Sequence, residues 1–370
     1  MDRSNMMPAL LTPSAIAIIG ASRSPGKVGH ELVANLLASG YAGRIIPVNP
    51  SASEVLGLKC HPDLRKCGER VDLSLIAVPT PLVRAAVEDS IEAGAGAVAV
   101  ITAGFKEVGK AGAELEHEIA GICRSRNVRL LGPNCLGLIN THHHMNASFA
   151  KKTPKQGGIS VMSQSGALCT AILDWAAGRH LGLAKLISMG NKADLSETDF
   201  LTAFAGDPET RVIVGYLESI VCGNAFIKAA ELASSRKPVV VFKAGVTQAG
   251  VKAASSHTGS LAGADIAYGA AFKRSGVIRA ETFEAMFDYA VAFSMQPLPK
   301  GDRVAIITNA GGPGIMAADA VEASGMRVTT LASGTATALR EKLPAAASVN
   351  NPIDVLGDAD PERYVMAVPP

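Results

Sequence analysis

The sequence is poor in aromatic residues, in charge and in cysteine. Of its 370 residues 4% are aromatic, one is tryptophan, and the net charge is only +2. A chain this close to neutral is not expected to bind nucleic acid through a broad basic face. Six cysteines at irregular spacings are too few for a disulfide-stabilised scaffold. The longest apolar runs, such as 95–102, have the length of a strand, so no membrane span is expected.

Targeting and metal-binding signals are also missing. Before Pro13 there is no apolar core of signal-peptide length, which predicts a reduced, cytoplasmic protein. Cys60 and Cys67 lie on either side of His61, but no second ligand pair at zinc-like spacing accompanies them. The run 142–144 is all histidine, and adjacent side chains do not converge on one ion. We therefore expect no metal site, and we expect the histidine run to be a solvated loop.

Hydrophobic residues make up 48% of the chain, and they follow a regular pattern. Short β-branched runs alternate with alanine- and leucine-rich stretches of helical period, which predicts parallel sheets with helices on both faces. Ligands of such sheets bind outside the carboxyl ends of the strands. The first strands are predicted at 15–19, 44–48, 73–78, 97–102 and 128–131.

Two breaks divide this pattern into three α/β units. The polar stretch 141–156 is predicted to be a linker between a first domain at 1–140 and a second at 157–296. A proline-containing break follows, and a third unit at 301–370 opens with a predicted strand at 303–308. This third unit has room for only about two strands, so we expect it to be the truncated start of a domain.

A glycine-rich loop, from Gly20 to Gly29, follows the first strand and opens a helix. Glycines let the backbone approach a phosphate, the helix N-terminus offers free N–H groups, and Lys27 adds charge. The glycine spacing is longer than in the dinucleotide-binding motif, and Asn49 stands where that motif has an acidic ribose ligand. The loop therefore favours a phosphate-bearing nucleotide over NAD. The alternative is a bare turn between strand and helix.

Three further strand ends of the first domain are small, polar and rich in glycine or proline. They contain Pro79, Thr102 and Asn134. Together they suit a ligand that lies along the carboxyl edge of the sheet.

The second domain has a similar loop, Ser163-Gln164-Ser165-Gly166, between a strand and a helix. It lacks the spacing of a nucleophilic serine turn, so an anion cradle at the helix N-terminus is the preferred interpretation. Simple helix capping by a serine is the alternative.

His257 lies among serines, threonine and glycines in the stretch 255–263. An accessible imidazole is nucleophilic near neutral pH and can form covalent intermediates. Its ring needs an orienting group, and Glu218 at the end of a predicted strand is a candidate. Sequence distance alone does not link the two, and each could be an ordinary surface residue.

These motifs together resemble the nucleoside-diphosphate-forming acyl-CoA synthetases, which include ADP-forming acetate–CoA ligase and succinyl-CoA synthetase. The resemblance runs over almost the whole chain and is strongest to the α subunit, or N-terminal half, of the acetate-type enzymes. It rests on 256–259, 163–166, 132–134 and the loop 20–29. It implies a Rossmann-like CoA-binding domain, a flavodoxin-like domain of succinyl-CoA-synthetase type and the start of a third α/β domain.

The resemblance also implies a reaction and site residues. Acyl-CoA and phosphate would give acyl phosphate, His257 would take the phosphoryl group with Glu218 orienting it, and ADP would become ATP. The loop 163–166 would be one of two phosphate cradles, and Gly190 and Asn191 would face the acyl thioester. CoA would contact the first domain through Gly20, Ser22, Lys27, Pro79, Thr102 and Asn134.

The family's ATP-grasp part, with its ADP or ATP and Mg²⁺, has no counterpart in this sequence. We expect it, together with the second cradle, on a partner chain or beyond the third unit, in an enzyme that is an oligomer and binds short-chain acyl-CoA. A non-catalytic CoA-binding regulatory module, related to the front half of protein lysine acetyltransferases, is one alternative. An NAD-dependent oxidoreductase is a weaker one.

Overall fold

Alternating strands and helices build the chain, as the hydrophobic pattern predicts. The computed structural model describes residues 7–179, 181–250, 252 and 265–368. They form two units, Met1–Gln296 and Pro297–Pro370, and the first unit contains two sheets. None of the helices in these described ranges has the length and apolarity needed to cross a bilayer.

The first sheet is parallel throughout, with strand order β2-β1-β5-β6-β7. The chain moves outward from β1 to β2 and then returns to the other side of β1, so the loop after β1 lies at the switch point where ligands of such sheets bind. The strands are β1 (Ala15–Ile19), β2 (Arg44–Val48), β5 (Leu73–Ile76), β6 (Ala97–Val100) and β7 (Arg129–Leu131), with the hairpin β3 (Glu54–Val55) and β4 (Leu58–Lys59) outside the sheet. The helices are α1 (Met7–Leu11), α2 (Val28–Ala38), α3 (Thr80–Glu92) and α4 (Lys110–Ser125).

The second sheet has the order β14-β13-β12-β10-β11-β8-β9. Its first five strands in this order are parallel, β8 is antiparallel to β11, and β9 is antiparallel to β8 at the edge of the sheet. Its switch point lies between β10 and β12. The strands are β8 (Gly137–Asn140), β9 (Met145–Ser148), β10 (Lys155–Ser163), β11 (Gly182–Ser188), β12 (Val212–Leu217), β13 (Val239–Lys243) and β14 (Ile278–Ala280). The helices are α5 (Gly166–Gly178), α6 (Glu197–Gly206), α7 (Gly223–Ser234), α8 (Asp265–Ser275) and α9 (Phe283–Met295).

The segment predicted as a linker, 141–156, differs from that expectation, because it contains β9 and the start of β10. The sequence pattern does not show these strands, because the polar side chains of Asn146 and Ser148 on β9 are buried and hydrogen-bonded to each other. Asn146 donates to Thr153 Oγ1 at 2.8 Å, and Ser148 Oγ donates to Asn146 Oδ1 at 2.6 Å. The histidine run differs too, since the rings of His142 and His143 bond to backbone carbonyl oxygens rather than lying free in solvent.

In the second unit, the predicted strand 303–308 is two short strands in separate pairs. Asn351 explains the break, because its amide accepts from the Ile306 N–H and donates to the carbonyl oxygens of Val304 and Thr329. The pairs join β15 (Arg303–Val304) to β17 (Arg327–Val328) and β16 (Ile307–Thr308) to β18 (Ile353–Asp354). The helices are α10 (Gly311–Ala323), α11 (Ser333–Lys342) and α12 (Pro361–Ala367).

A buried lysine stabilises the amino-terminal edge of the second sheet. Lys185 on β11 is 4% exposed, and its ammonium lies 2.7 Å from both Asp207 Oδ2 and Glu209 Oε2. Burial alone would raise the pKa of Asp207, but hydrogen bonds from Lys185 and Thr210 outweigh it and hold that pKa below its ordinary value. Removal of the ammonium would leave two carboxylates without their buried partner.

Lys185→Met should lower the free energy of unfolding of the first unit by about 3–5 kcal/mol near neutral pH, as for other broken buried pairs. Because the pKa of Asp207 is depressed in the folded state, this contribution is present above about pH 3.9 and is lost at lower pH. Denaturant unfolding of both proteins at pH 7 and pH 3 measures it. A deficit that is the same at both pH values would contradict the assignment.

Candidate active site

A cavity of about 780 Å³ opens at the carboxyl edge of the first sheet, at its switch point. Four residues predicted to surround CoA line it, namely Gly20, Ser22, Lys27 and Pro79. Two glycines bring the loop and α2 into contact here. Gly20 has a φ of +93°, and a Cβ on Gly29 would lie 1.9 Å from the Gly20 carbonyl oxygen. The first turn of α2 therefore packs against the loop more closely than a side chain allows.

Asn49 stands where the dinucleotide-binding motif has an acidic ribose ligand, and in the structure it supports the glycine-rich loop. Asn49, which follows β2, donates its amide to the Ala21 carbonyl oxygen at 2.6 Å and so holds the glycine-rich loop against the neighbouring strand end. The Ser22 hydroxyl accepts from the Ser24 N–H at 3.1 Å, which shapes the same loop. The amide of Asn49 thus supports the loop from a position that also lines the cavity.

Arg65 is a cavity residue that the sequence did not indicate. Its guanidinium bonds Asp63 Oδ2 at 3.0 Å and lies 3.5 Å from Asp89 Oδ1, and all three residues line the cavity. Arg65 lies in a short 3-10 turn, Leu64–Lys66, which follows none of the strands that the pattern identified. Its exposed guanidinium thus holds two carboxylates of the cavity lining together.

A second cavity, of about 530 Å³, adjoins the first, and Val28 and Ala77 line both. Thr102 and Asn134 lie on its first-sheet side, and Gln164, Ser165 and Gly166 on its second-sheet side. The structure thus brings together residues predicted to bind CoA and residues predicted to hold phosphate.

The hydroxyl groups of two serines shape the loop after β10. Ser163 is fully buried, and its hydroxyl accepts from the Ser165 N–H at 3.1 Å and donates to the Ser165 carbonyl at 2.9 Å. Ser165 caps α5 by accepting from the Leu168 N–H at 3.3 Å. Ser163 therefore shapes the turn and does not itself line the cavity, while the N-terminus of α5 faces the space beside Ser165 and Gly166.

Gln164 joins this loop to Glu218, a link that sequence distance could not reveal. Its Oε1 accepts from the backbone N–H groups of Glu218 and Ser219, at 2.9 and 3.0 Å. Its Nε2 donates to the Ser219 carbonyl oxygen at 2.6 Å. Glu218 is buried at the end of β12, next to the cradle. His257 lies outside the described residues, so its pairing with Glu218 stays a prediction.

Three ionisable side chains interact electrostatically with Glu218, namely Tyr216 on β12, Lys192 after β11 and Lys243 at the end of β13. Burial raises the pKa of Tyr216 to about 12, and the carboxylate of Glu218 contributes to that rise. Burial lowers the pKa values of Lys192 and Lys243, and Glu218 partly opposes both shifts. The Lys243 ammonium also lies 4.4 Å from the centre of the Tyr268 ring. Glu218 is thus surrounded by one neutral phenol and two buried ammonium groups in the described part of the chain.

Gly190 and Asn191 follow β11, beside Asn134. A Cβ on Gly190, whose φ is +56°, would lie 2.3 Å from the Pro133 carbonyl oxygen. The buried Asn191 amide donates to Glu107 Oε2 and Glu116 Oε2, at 2.6 and 2.8 Å, and its Oδ1 lies 3.4 Å from the Asn134 amide nitrogen. Neither Gly190 nor Asn191 lines the two cavities, so their predicted contact with the acyl group stays a prediction.

A loop of the same construction occurs in the second unit, where we expected no cradle. Thr308 ends β16, and its hydroxyl accepts from the Ala310 N–H at 3.1 Å and donates to the Ala310 carbonyl at 2.9 Å. Helix α10 begins at Gly311, as α5 begins at Gly166 after the Ser163 turn. Asp354, at the end of the paired strand β18, has its Oδ2 3.6 Å from the position of a Cβ on Gly311. This loop is a candidate for the second cradle, which we expected outside the chain.

Three family models match successive parts of the chain. Residues 14–141 match a family described as a CoA binding domain, residues 156–293 a succinyl-CoA ligase like flavodoxin domain, and residues 304–369 a Ligase-CoA domain. ADP-forming acetate–CoA ligase I of Archaeoglobus fulgidus is 46% identical over 97% of this chain and 52% of its own length. Subunit alpha of ADP-forming acetate–CoA ligase II of Pyrococcus furiosus is 42% identical over 97% of this chain and 78% of the subunit.

A solved structure is similar over the same span. The dinucleotide forming acetyl-coenzyme A synthetase 1 of Candidatus Korarchaeum cryptofilum, in complex with phosphate and ADP, has a TM-score of 0.93 at 40% identity, over 98% of this chain and 78% of that chain. The two sheets, their adjoining cavities and these relatives define a protein of the acyl-CoA synthetase class. The chain belongs to the family of the ADP-forming acetate–CoA ligases. It spans about half the length of its curated relatives from Archaeoglobus fulgidus and Methanocaldococcus jannaschii.

Gly29→Ala should weaken CoA binding by about 10-fold or more, because the added Cβ must displace the Gly20 carbonyl from the wall of the first cavity. Isothermal titration of the purified chain with CoA measures the change. Gly121→Ala, in the middle of α4 with no atom within 4 Å of the new Cβ, is the matched control and should leave the affinity unchanged. Equal affinities of the Gly29→Ala variant and the wild type would contradict this placement of the site.

Proposed function

We propose that the chain is the CoA-binding and phosphoryl-carrying component of an ADP-forming acid–thiol ligase, acetate–CoA ligase by its relatives. The reaction interconverts acyl-CoA, phosphate and ADP with the free acid, CoA and ATP. The proposal is carried by one observation. Gln164 fixes the buried Glu218 beside the loop 163–166, and this loop borders a cavity that adjoins the cleft of the CoA-binding domain.

In the first step, a phosphate oxygen attacks the acyl carbon of the thioester and the CoA thiolate leaves, which gives acyl phosphate. CoA lies in the first cavity along Gly20, Ser22, Lys27 and Pro79, with Thr102 and Asn134 nearer its thiol end. The N-terminus of α5 stabilises the negative charge of the phosphoryl oxygens through its free N–H groups and its dipole.

In the second step, a ring nitrogen of His257 attacks the phosphorus and the acyl carboxylate leaves. Glu218 accepts the N–H of the other ring nitrogen, which fixes the tautomer and stabilises the charge that develops on the imidazole. In the third step, a terminal oxygen of ADP attacks the phosphorus of phosphohistidine, which releases the ring and forms ATP.

The nucleotide belongs to an ATP-grasp component in this proposal, as a partner chain or a fused domain. Mg²⁺ would be held there with the nucleotide phosphates. Two relatives support the arrangement, because one is an α subunit and another was solved with phosphate and ADP. In this proposal the enzyme is an oligomer in the cytoplasm, where six cysteines in 370 residues would stay reduced.

The Thr308 loop is proposed as the second phosphoryl cradle. It repeats the Ser163 turn, including the N–H and carbonyl of the second residue bound by one hydroxyl. Asp354 beside α10 occupies a place comparable to Glu218 beside α5, at the end of the neighbouring strand.

Incubation with acetyl-CoA and ³²P-phosphate, with the ATP-grasp component of a relative added, tests the covalent step. We expect acid-labile, base-stable label on the wild-type chain and none on His257→Ala. Glu218→Gln should label about 10- to 100-fold more slowly, because the amide orients the ring without the carboxylate charge. Label that survives His257→Ala would contradict the mechanism. CoA binding without any label on the wild type would instead support the regulatory module, and NAD binding in a parallel titration the oxidoreductase.

Thr308→Val removes the hydroxyl of the second loop at nearly constant volume. We expect ADP-dependent loss of label from His257 to slow by about 10-fold, because the loop loses both of its hydroxyl hydrogen bonds. CoA affinity should not change, which provides the control. An unchanged rate of transfer to ADP would exclude the loop as the second cradle.

A further inference from the structure

A buried ion pair lies directly beside the Glu218 turn and has no role in the steps above. Lys192, after β11, is 6% exposed, and Glu197, in the first turn of α6, is fully buried. The Lys192 ammonium lies 2.9 Å from Glu197 Oε2 and also donates to the Ser219 carbonyl oxygen at 2.7 Å. A single lysine thus contacts both a carboxylate and the backbone next to the residue predicted to orient His257.

These contacts close a ring around the turn. The Ser219 carbonyl oxygen accepts from Lys192 and also from Gln164 Nε2. Two residues further on, the Val221 N–H donates to Glu197 Oε1 at 3.0 Å. The segment 218–221 is therefore held by three side chains, those of Gln164, Lys192 and Glu197. Because Lys192 and Gln164 bond the same carbonyl oxygen, movement of Lys192 would also disturb the contact of Gln164.

The backbone at Lys192 is itself in an unusual conformation. Its φ is +58°, in the left-handed region that few residues other than glycine adopt. Such conformations persist where surrounding contacts enforce them, and they are concentrated at functional sites. Here the conformation directs the lysine inward to Glu197 and Ser219.

We propose that Lys192 is a positioning residue, whose buried ammonium holds the Glu218 turn in place for phosphoryl transfer to His257. The inference rests on the proposed function and adds to it a residue that does not touch the reacting atoms. Its effect is exerted on Glu218 through the Ser219 carbonyl oxygen.

The partner of Lys192 makes this contact hard to replace. Glu197 bonds both the Lys192 ammonium and the Val221 N–H, so loss of the ammonium leaves a buried carboxylate without its cation beside the turn. A reacting group that is misplaced by about 1 Å can slow a reaction by about 100-fold. Loss of Lys192 should therefore slow phosphoryl transfer and leave the binding of CoA unchanged.

The test compares Lys192→Met, Lys192→Arg and the wild type in the labelling assay. We expect Lys192→Met to slow the formation of phosphohistidine by about 10- to 100-fold. Lys192→Arg, which keeps a cationic donor for the Ser219 carbonyl oxygen, should restore most of the wild-type rate. CoA affinity should be equal in all three proteins, because the first cavity does not include this pair.

Lys185→Met is the matched control, because it removes an equally buried lysine from β11, at the opposite edge of the second sheet from Lys192. It should lower stability but leave the labelling rate unchanged. A wild-type labelling rate in Lys192→Met, or an equal loss of rate in Lys185→Met, would overturn the inference. If Lys192→Met does not bind CoA, Lys192→Gln, which removes the charge and keeps a polar side chain, provides the same measurement. Failure of the wild type to label at His257 would instead count against the proposed function.

Discussion

The side-chain amide of Gln164 is the contact on which the candidate site depends. Its oxygen accepts two backbone N–H groups and its nitrogen donates to one carbonyl, so the loop after β10 and the turn after β12 form one rigid element. Each of these groups is buried, and a buried group left without a partner costs about 1–3 kcal/mol. The placement of Glu218 beside the loop 163–166 depends on this one side chain, which also shares the Ser219 carbonyl oxygen with Lys192.

One motif occurs three times in the chain: a strand, a tight loop and the N-terminus of a helix. The contacts that hold the loop differ from one copy to the next. After β1, close packing of Gly20 and Gly29 holds it, whereas after β10 and β16 a hydroxyl bonds to the residue two positions ahead. Helix N-termini provide local positive potential without many basic side chains. A chain with a net charge of +2 can therefore offer several anion sites.

The strands that the sequence predicts well are those made of β-branched runs, since burial on both faces leaves an unmistakable pattern. The sequence pattern does not predict the hairpin of β8 and β9, because Asn146 and Ser148 are polar, although they are buried and hydrogen-bonded to each other. Nor does it predict the break in the strand near Ile306, because the residue that causes it, Asn351, is 45 residues away. The candidate site is predictable to the same extent. Its loops are local motifs that the sequence shows, whereas the hydrogen bonds from Gln164 to Glu218 and from Lys192 to Ser219 depend on the order of the strands in the sheet.

Backbone and side-chain hydrogen bonds join the two sheets of the first unit. Backbone N–H groups of Asn191, Ala193 and Leu195 donate to carbonyl oxygens of the segment 130–133, and the buried Arg129 bonds Asp194 and Asp199 across the same boundary. Separation of the sheets would expose these backbone groups and leave a buried guanidinium without its partners, which costs several kcal/mol. The distance between the cavity of the first sheet and the loop 163–166 is therefore fixed by the fold.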